Sequence, residues 1–189
     1  MKVFIMLDFL SLYNGKISGN NSSGVNAQSL FEMYDGMICN NKTSDLGGGV
    51  YVSHLGEYEY NFEMYGGEIS DNEAENGAGV FIGGKKVAMN GGIISRNKST
   101  NDGGGVYNED GTFEMSGGAI TDNETKEYGG GVCNEDGTFE MSGGEITRNK
   151  IRKEWWRSTA MHRKNLFKMS GTAKITNNTA ISNGGGVLV

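Results

Sequence analysis

The 189-residue chain has no proline, two cysteines, two histidines and two tryptophans. Cys39 and Cys133 are too few for the dense disulfide framework of a small secreted domain. His54 and His162 give a histidine-based metal site or catalytic triad little material. No stretch approaches the ~20 apolar residues that span a bilayer, so no direct membrane insertion is expected. The opening run MKVFIMLDFLSL is broken by Asp8 and has no small-residue cleavage site after it, unlike a signal peptide. The 32 glycines follow no three-residue period, which excludes a collagen. A net charge of −6 favours solubility and argues against nucleic acid as a partner.

What the chain does have is a repeat. LSLYNGKISGN starts at Leu10, FEMYDGMICNN at Phe31, FEMYGGEISDN at Phe62 and VAMNGGIISRN at Val87. FEMSGGAITDN starts at Phe113, FEMSGGEITRN at Phe139 and FKMSGTAKITNN at Phe167. A second motif, GGGV, occurs at Gly47 to Val50, Gly103 to Val106, Gly129 to Val132 and Gly184 to Val187, with weaker copies at Gly24 and Gly77.

Within one unit, Gly103 to Asn123, Val106-Tyr107-Asn108 is short and β-prone, and Asn108-Glu109-Asp110-Gly111 is turn chemistry. Thr112 to Ser116 alternates, so Phe113 and Met115 share one face. Gly117-Gly118 turns the chain, Ile120 points in, Thr121 points out and Asn123 closes the unit. The i, i+3, i+4 pattern of a helix is missing, which excludes ankyrin, tetratricopeptide and armadillo arrays. A propeller blade needs about 40 residues. Three short strands per coil of about 25 residues predict an all-β parallel β-helix of about seven coils, roughly 33 Å long at ~4.8 Å per coil. Residues 1–189 read as a single array. Like residues then stack into ladders of Val, Phe, Met and Ile, each side chain contributing roughly 1.5–3 kcal/mol on burial. In this arrangement the two cysteines lie about four coils apart, ~19 Å, beyond the ~7 Å within which a disulfide forms.

The GGGV and FxMSGGxIxxN pattern resembles the repeats of bacterial surface β-helix proteins, including polymorphic outer-membrane and adhesin-like families. The resemblance covers nearly the whole chain and implies a right-handed parallel β-helix, in line with the general hand of parallel crossovers. It implies a passenger or stalk domain at the cell surface or secreted, facing a host or cell-surface protein or a glycan. It implies no catalytic residues, no metal and no cofactor. The fold also resembles that of β-helical polysaccharide lyases, so a carbohydrate-binding or pectate-lyase-like carbohydrate-active protein is the alternative. Such enzymes build a cleft from long loops, whereas most turns here are short.

Residues 150–166 break the pattern. Counting six residues on from Asn149 lands on Trp155-Trp156-Arg157 where other coils have the glycine triplet. The segment also carries Lys150, Arg152, Lys153, Arg157, Arg163 and Lys164. Tryptophan has the single codon TGG, and two in a row before arginine, read one base later, give Gly-Gly. The segment is therefore either an irregular loop, with Trp155 and Trp156 as a ligand-binding candidate, or a coil whose reading frame has shifted.

The other candidates are columns on the outer faces. Tyr51, Phe81 and Tyr107 alternate outward on one strand column and form a candidate sugar-stacking strip or a simple cross-strand stack. Glu32, Glu63, Glu114 and Glu140 form an acidic column, broken by Ala88 and Lys168, that reads as a hydrated strand face. Asp71, Arg96, Asp122 and Arg148 alternate in sign and read as a register-setting charge ladder. Asn108-x-Asp110-Gly111 and Asn134-x-Asp136-Gly137 lack full calcium-loop spacing and read as turns. No capping element is visible at either end, so the chain is expected to be a piece of a longer solenoid or to associate end to end.

Overall fold

The structure, a computed structural model, describes residues 9–53, 60–152, 165–180 and 184–189. These residues form strands and turns, and every strand pairing among them is parallel. The fold is an all-β parallel solenoid. Among the described residues no helix is long and apolar enough to cross a membrane.

The first sheet has seven strands: Phe9–Leu12, Leu30–Met33, Tyr60–Met64, Lys86–Met89, Thr112–Met115, Thr138–Met141 and Leu166–Met169. The second also has seven, from Lys16–Ser18 to Lys174–Thr176. The third has six: Val25–Ala27, Val50–Val52, Val80–Ile82, Val106–Asn108, Val132–Asn134 and Val187–Leu188. A fourth sheet, not anticipated from the sequence, is built from the two-residue strands Glu73–Ala74, Lys98–Ser99, Glu124–Thr125 and Lys150–Ile151.

Five consecutive turns, Phe9 to Asn134, are complete, rather than the seven expected. After Lys150–Ile151 the place of the third-sheet strand falls on residues outside the described ones. The next third-sheet strand, Val187–Leu188, pairs directly with Val132–Asn134. It therefore sits one level below the first- and second-sheet strands that precede it in the chain. The cause is local. At the triplet, a Cβ on Gly105 would lie 2.6 Å from the Gly131 carbonyl oxygen and 2.7 Å from Ile120 Cγ2. Gly103 takes φ +61°, a region that residues with a Cβ avoid. The sequence has Trp155-Trp156-Arg157, which lie outside the described residues, where the spacing calls for the triplet.

One continuous core runs through the stack. Phe113, Met115, Ile120 and Val132 are all buried, as are their copies in neighbouring turns. Phe31 and Phe62 stack with ring centroids 5.1 Å apart, and Phe113, Phe139 and Phe167 continue at 5.0 Å after Val87 interrupts the column. Cys39 and Cys133 are buried, form no disulfide, and lie three turns apart, not four, on different sheets.

The residue that closes each repeat forms an amide spine, Asn20, Asn41, Asn72, Asn97, Asn123, Asn149 and Asn178, which is buried from Asn41 to Asn149 and exposed at Asn20. An asparagine amide has two donors and two acceptor sites, and Asn97 uses all four. Its Nδ2 donates to Ile69 O at 2.9 Å and to Asn123 Oδ1 at 3.0 Å. Its Oδ1 accepts from Asn72 N and Nδ2, both at 3.0 Å. The residues just before the spine, Asn40, Asp71, Arg96, Asp122, Arg148 and Asn177, all have φ of 54–57°. This left-handed corner points each amide along the stack.

Candidate functional site

The outward aromatic column lies in register as the alternation predicts, with Phe81 opposite Tyr51 and Tyr107 opposite Phe81. Both ring pairs stack at 5.4 Å. Yet Phe81 is 1% and Tyr107 6% exposed, and only Tyr51 is half-buried. Leu46 and Tyr128, just upstream of two glycine triplets, pack onto the column together with Cys133 and Leu188. The strip expected at the surface is a second, smaller core whose ring faces are spent on one another. Trp155 and Trp156 lie outside the described residues, as do His54 and His162.

The charged columns tie successive turns together. Glu32 lies opposite Glu63, and Glu114 opposite Glu140, all half-buried on the first sheet. Lys86 Nζ lies 2.9 Å from Glu114 and Lys168 Nζ 2.6 Å from Glu140. Arg96 donates to Asp71 at 3.0 Å and to Glu68 at 2.8 Å, and Arg148 to Asp122 at 3.0 Å. The Arg148 hydrogen bonds hold the Asp122 carboxyl below its usual range against the opposing effect of partial burial. Burial pushes Glu68 up, but bonds from Arg96 and Ser95 outweigh it and leave it lowered. Asn108 Oδ1 accepts from Gly111 N at 3.1 Å and its Nδ2 donates to Asn134 Oδ1, so these side chains shape buried turns. Among the described residues no group of three or more His, Cys, Asp or Glu side chains is placed to hold a metal ion.

The exposed aromatic feature is a different column, at the corner after the first sheet. Tyr13, Tyr34 and Tyr65 are 65%, 39% and 41% exposed. Their ring centroids are 4.8 and 4.9 Å apart, with planes inclined by 2° and 12°. Tyr34 Oη donates to Glu32 Oε2 at 3.2 Å, and Tyr65 Oη donates to Glu63 Oε2. That hydrogen bond, with desolvation and the Glu63 charge, pushes the Tyr65 phenol up to about 12. Higher in the stack the position is taken by Asn90, Ser116, Ser142 and Ser170. The available signal was the tyrosine following LSL, FEM and FEM in three successive repeats. Strand alternation does not flag it, because it stands at a turn.

No family model, no curated protein and no solved structure matches this chain. The likeness to adhesin-like and outer-membrane proteins therefore rests on the repeat pattern alone, and the geometry defines a structural β-solenoid repeat module.

Proposed function

We propose that the chain is a non-catalytic stalk or display segment of a bacterial cell-surface or secreted protein, which contacts a host or cell-surface protein or a glycan through its outer columns. The observation that carries this reading is the parallel register of the four sheets, kept residue for residue apart from one shift between Lys86 and Val87 against Tyr60–Met64, which turns the outward positions into columns one strand spacing per step. Glu68, Arg96, Asp122 and Arg148 are engaged in ion pairs between turns, which brace one turn on the next and support a structural role. Within this reading the Tyr13–Tyr34–Tyr65 corner is the surface most suited to contact, since it offers phenol edges beside carboxylates.

The test has two arms. Protease treatment of intact cells bearing the tagged full-length protein should remove the tag, and protection until lysis would overturn the surface assignment. A glycan and cell-surface protein array should show binding that falls on Tyr34→Ala with Tyr65→Ala. Turnover of a polysaccharide by the purified chain would instead support the carbohydrate-active alternative.

A further inference from the structure

We propose that the Tyr13–Tyr34–Tyr65 column is a site of oxidative crosslinking, at which a peroxide acting through a haem peroxidase joins Tyr34 to Tyr13 or Tyr65 and staples successive turns covalently. The proposal stands independently of the surface assignment.

Three features of the corner carry it. The rings are exposed, so a bulky oxidant reaches their edges. They are already paired at 4.8 and 4.9 Å, which replaces the diffusional encounter of two phenoxyl radicals by a small ring rotation. Two of the three phenols hydrogen-bond to a carboxylate, Tyr34 to Glu32 and Tyr65 to Glu63, so the phenolic proton has an acceptor as the electron leaves. Ser11 stands at the glutamate position beside Tyr13. The other column does not offer this chemistry. Phe81, which forms no phenoxyl radical, separates Tyr51 from Tyr107, and it is buried.

The step balances. Each of two phenols loses one electron and one proton, the two resulting phenoxyl radicals form one carbon–carbon bond between positions ortho to the hydroxyls, and each ring then re-aromatises as a phenol. Overall, two tyrosines and one hydrogen peroxide give one dityrosine and two waters. The carboxylates carry the protons to solvent and are regenerated.

The experiment exposes dilute full-length protein to hydrogen peroxide and a haem peroxidase. Expected are dityrosine fluorescence, a band that stays monomeric on a denaturing gel, and a crosslinked peptide lighter by two hydrogens that joins Tyr34 to Tyr13 or Tyr65. Tyr34→Phe, which keeps a ring in the stack, should abolish the intrachain crosslink. Tyr13→Phe with Tyr65→Phe should do the same by leaving Tyr34 without a partner, while Tyr51→Phe should leave the yield unchanged. Glu32→Gln with Glu63→Gln should slow the crosslink without changing the circular dichroism. Crosslinks found only between chains, or a yield insensitive to Tyr34→Phe, would overturn the proposal. An unchanged rate in the double glutamine variant would remove the carboxylates from it.

Discussion

Asn97→Ala is expected to be among the most damaging single substitutions in the chain. It removes two hydrogen bonds donated by Nδ2, to Ile69 O and Asn123 Oδ1, and two accepted by Oδ1, from Asn72 N and Nδ2. Net values of ~0.5–1.5 kcal/mol per bond give ~2–6 kcal/mol for the four. An expected loss of about 4 kcal/mol is a large part of the ~5–15 kcal/mol that holds a typical fold. At ~2 kcal/mol per molar urea it moves the unfolding midpoint by about 2 M. Far-UV circular dichroism in a urea series reads this directly. Asn97→Asp is the sharper variant, because it keeps the shape but turns an oxygen toward Ile69 O and Asn123 Oδ1, and it should be at least as damaging near neutral pH. Arg148→Ala, which breaks an exposed pair screened by solvent, should barely move the midpoint. The reasoning is refuted if Asn97→Ala costs no more than Arg148→Ala.

Gly105→Ala, which places a Cβ against the Gly131 carbonyl, should destabilise by at least ~2 kcal/mol in the same assay, near the upper part of the range for overpacking. Phenol absorbance titration should show Tyr65 ionising near pH 12 rather than 10, and Glu63→Gln should bring it back toward 10. Because its folded-state value is raised, the stability Tyr65 contributes is fully present below pH 10 and is lost as pH rises through about 12. Asp122 runs the other way. Its lowered value means the Arg148 pair contributes above the ordinary 3.8 and the contribution is lost as pH falls through the depressed value, so Asp122→Asn should flatten the acid limb of a stability profile slightly. Replacing residues 152–165 by residues 126–137, which carry the Gly129 to Val132 copy, should raise the urea midpoint, and a fall would show that the native segment itself supports the stack.

The core was legible because a stacked repeat writes its interior as columns: Phe113 and Met115 alternate with Thr112 and Glu114, and the same spelling returns at Phe139. The number of complete turns was not, since counting first-sheet motifs says nothing about whether each turn also fills the third sheet. The fourth sheet was invisible because its strands are two residues long and mostly polar, as in Lys98–Ser99 and Glu124–Thr125. Asn123 was recognised as the end of the unit. Its role as one rung of a spine emerges only when rungs from different turns come within hydrogen-bond distance. For Phe81 and Tyr107, alternation gives the side of a sheet and not what covers it, and Leu46 and Tyr128 cover that side. Tyr34 and Tyr65 stand at a turn, outside any periodic signal, and their exposure comes from the corner itself.

The central claim is the in-register parallel stack, and engineered disulfides test it most directly. With Cys39 and Cys133 changed to serine, Glu114→Cys with Glu140→Cys places two thiols on directly opposed residues of neighbouring turns. At a strand spacing of ~4.8 Å they fall within the Cα separation of about 4.4–6.8 Å that a disulfide accepts. Glu114→Cys with Thr138→Cys shifts one partner by two residues and puts the pair at about 8 Å from the strand rise and spacing, beyond reach. The account predicts rapid, intramolecular oxidation of the first pair and little of the second. Equal oxidation of both, or none in the first, would contradict the stack.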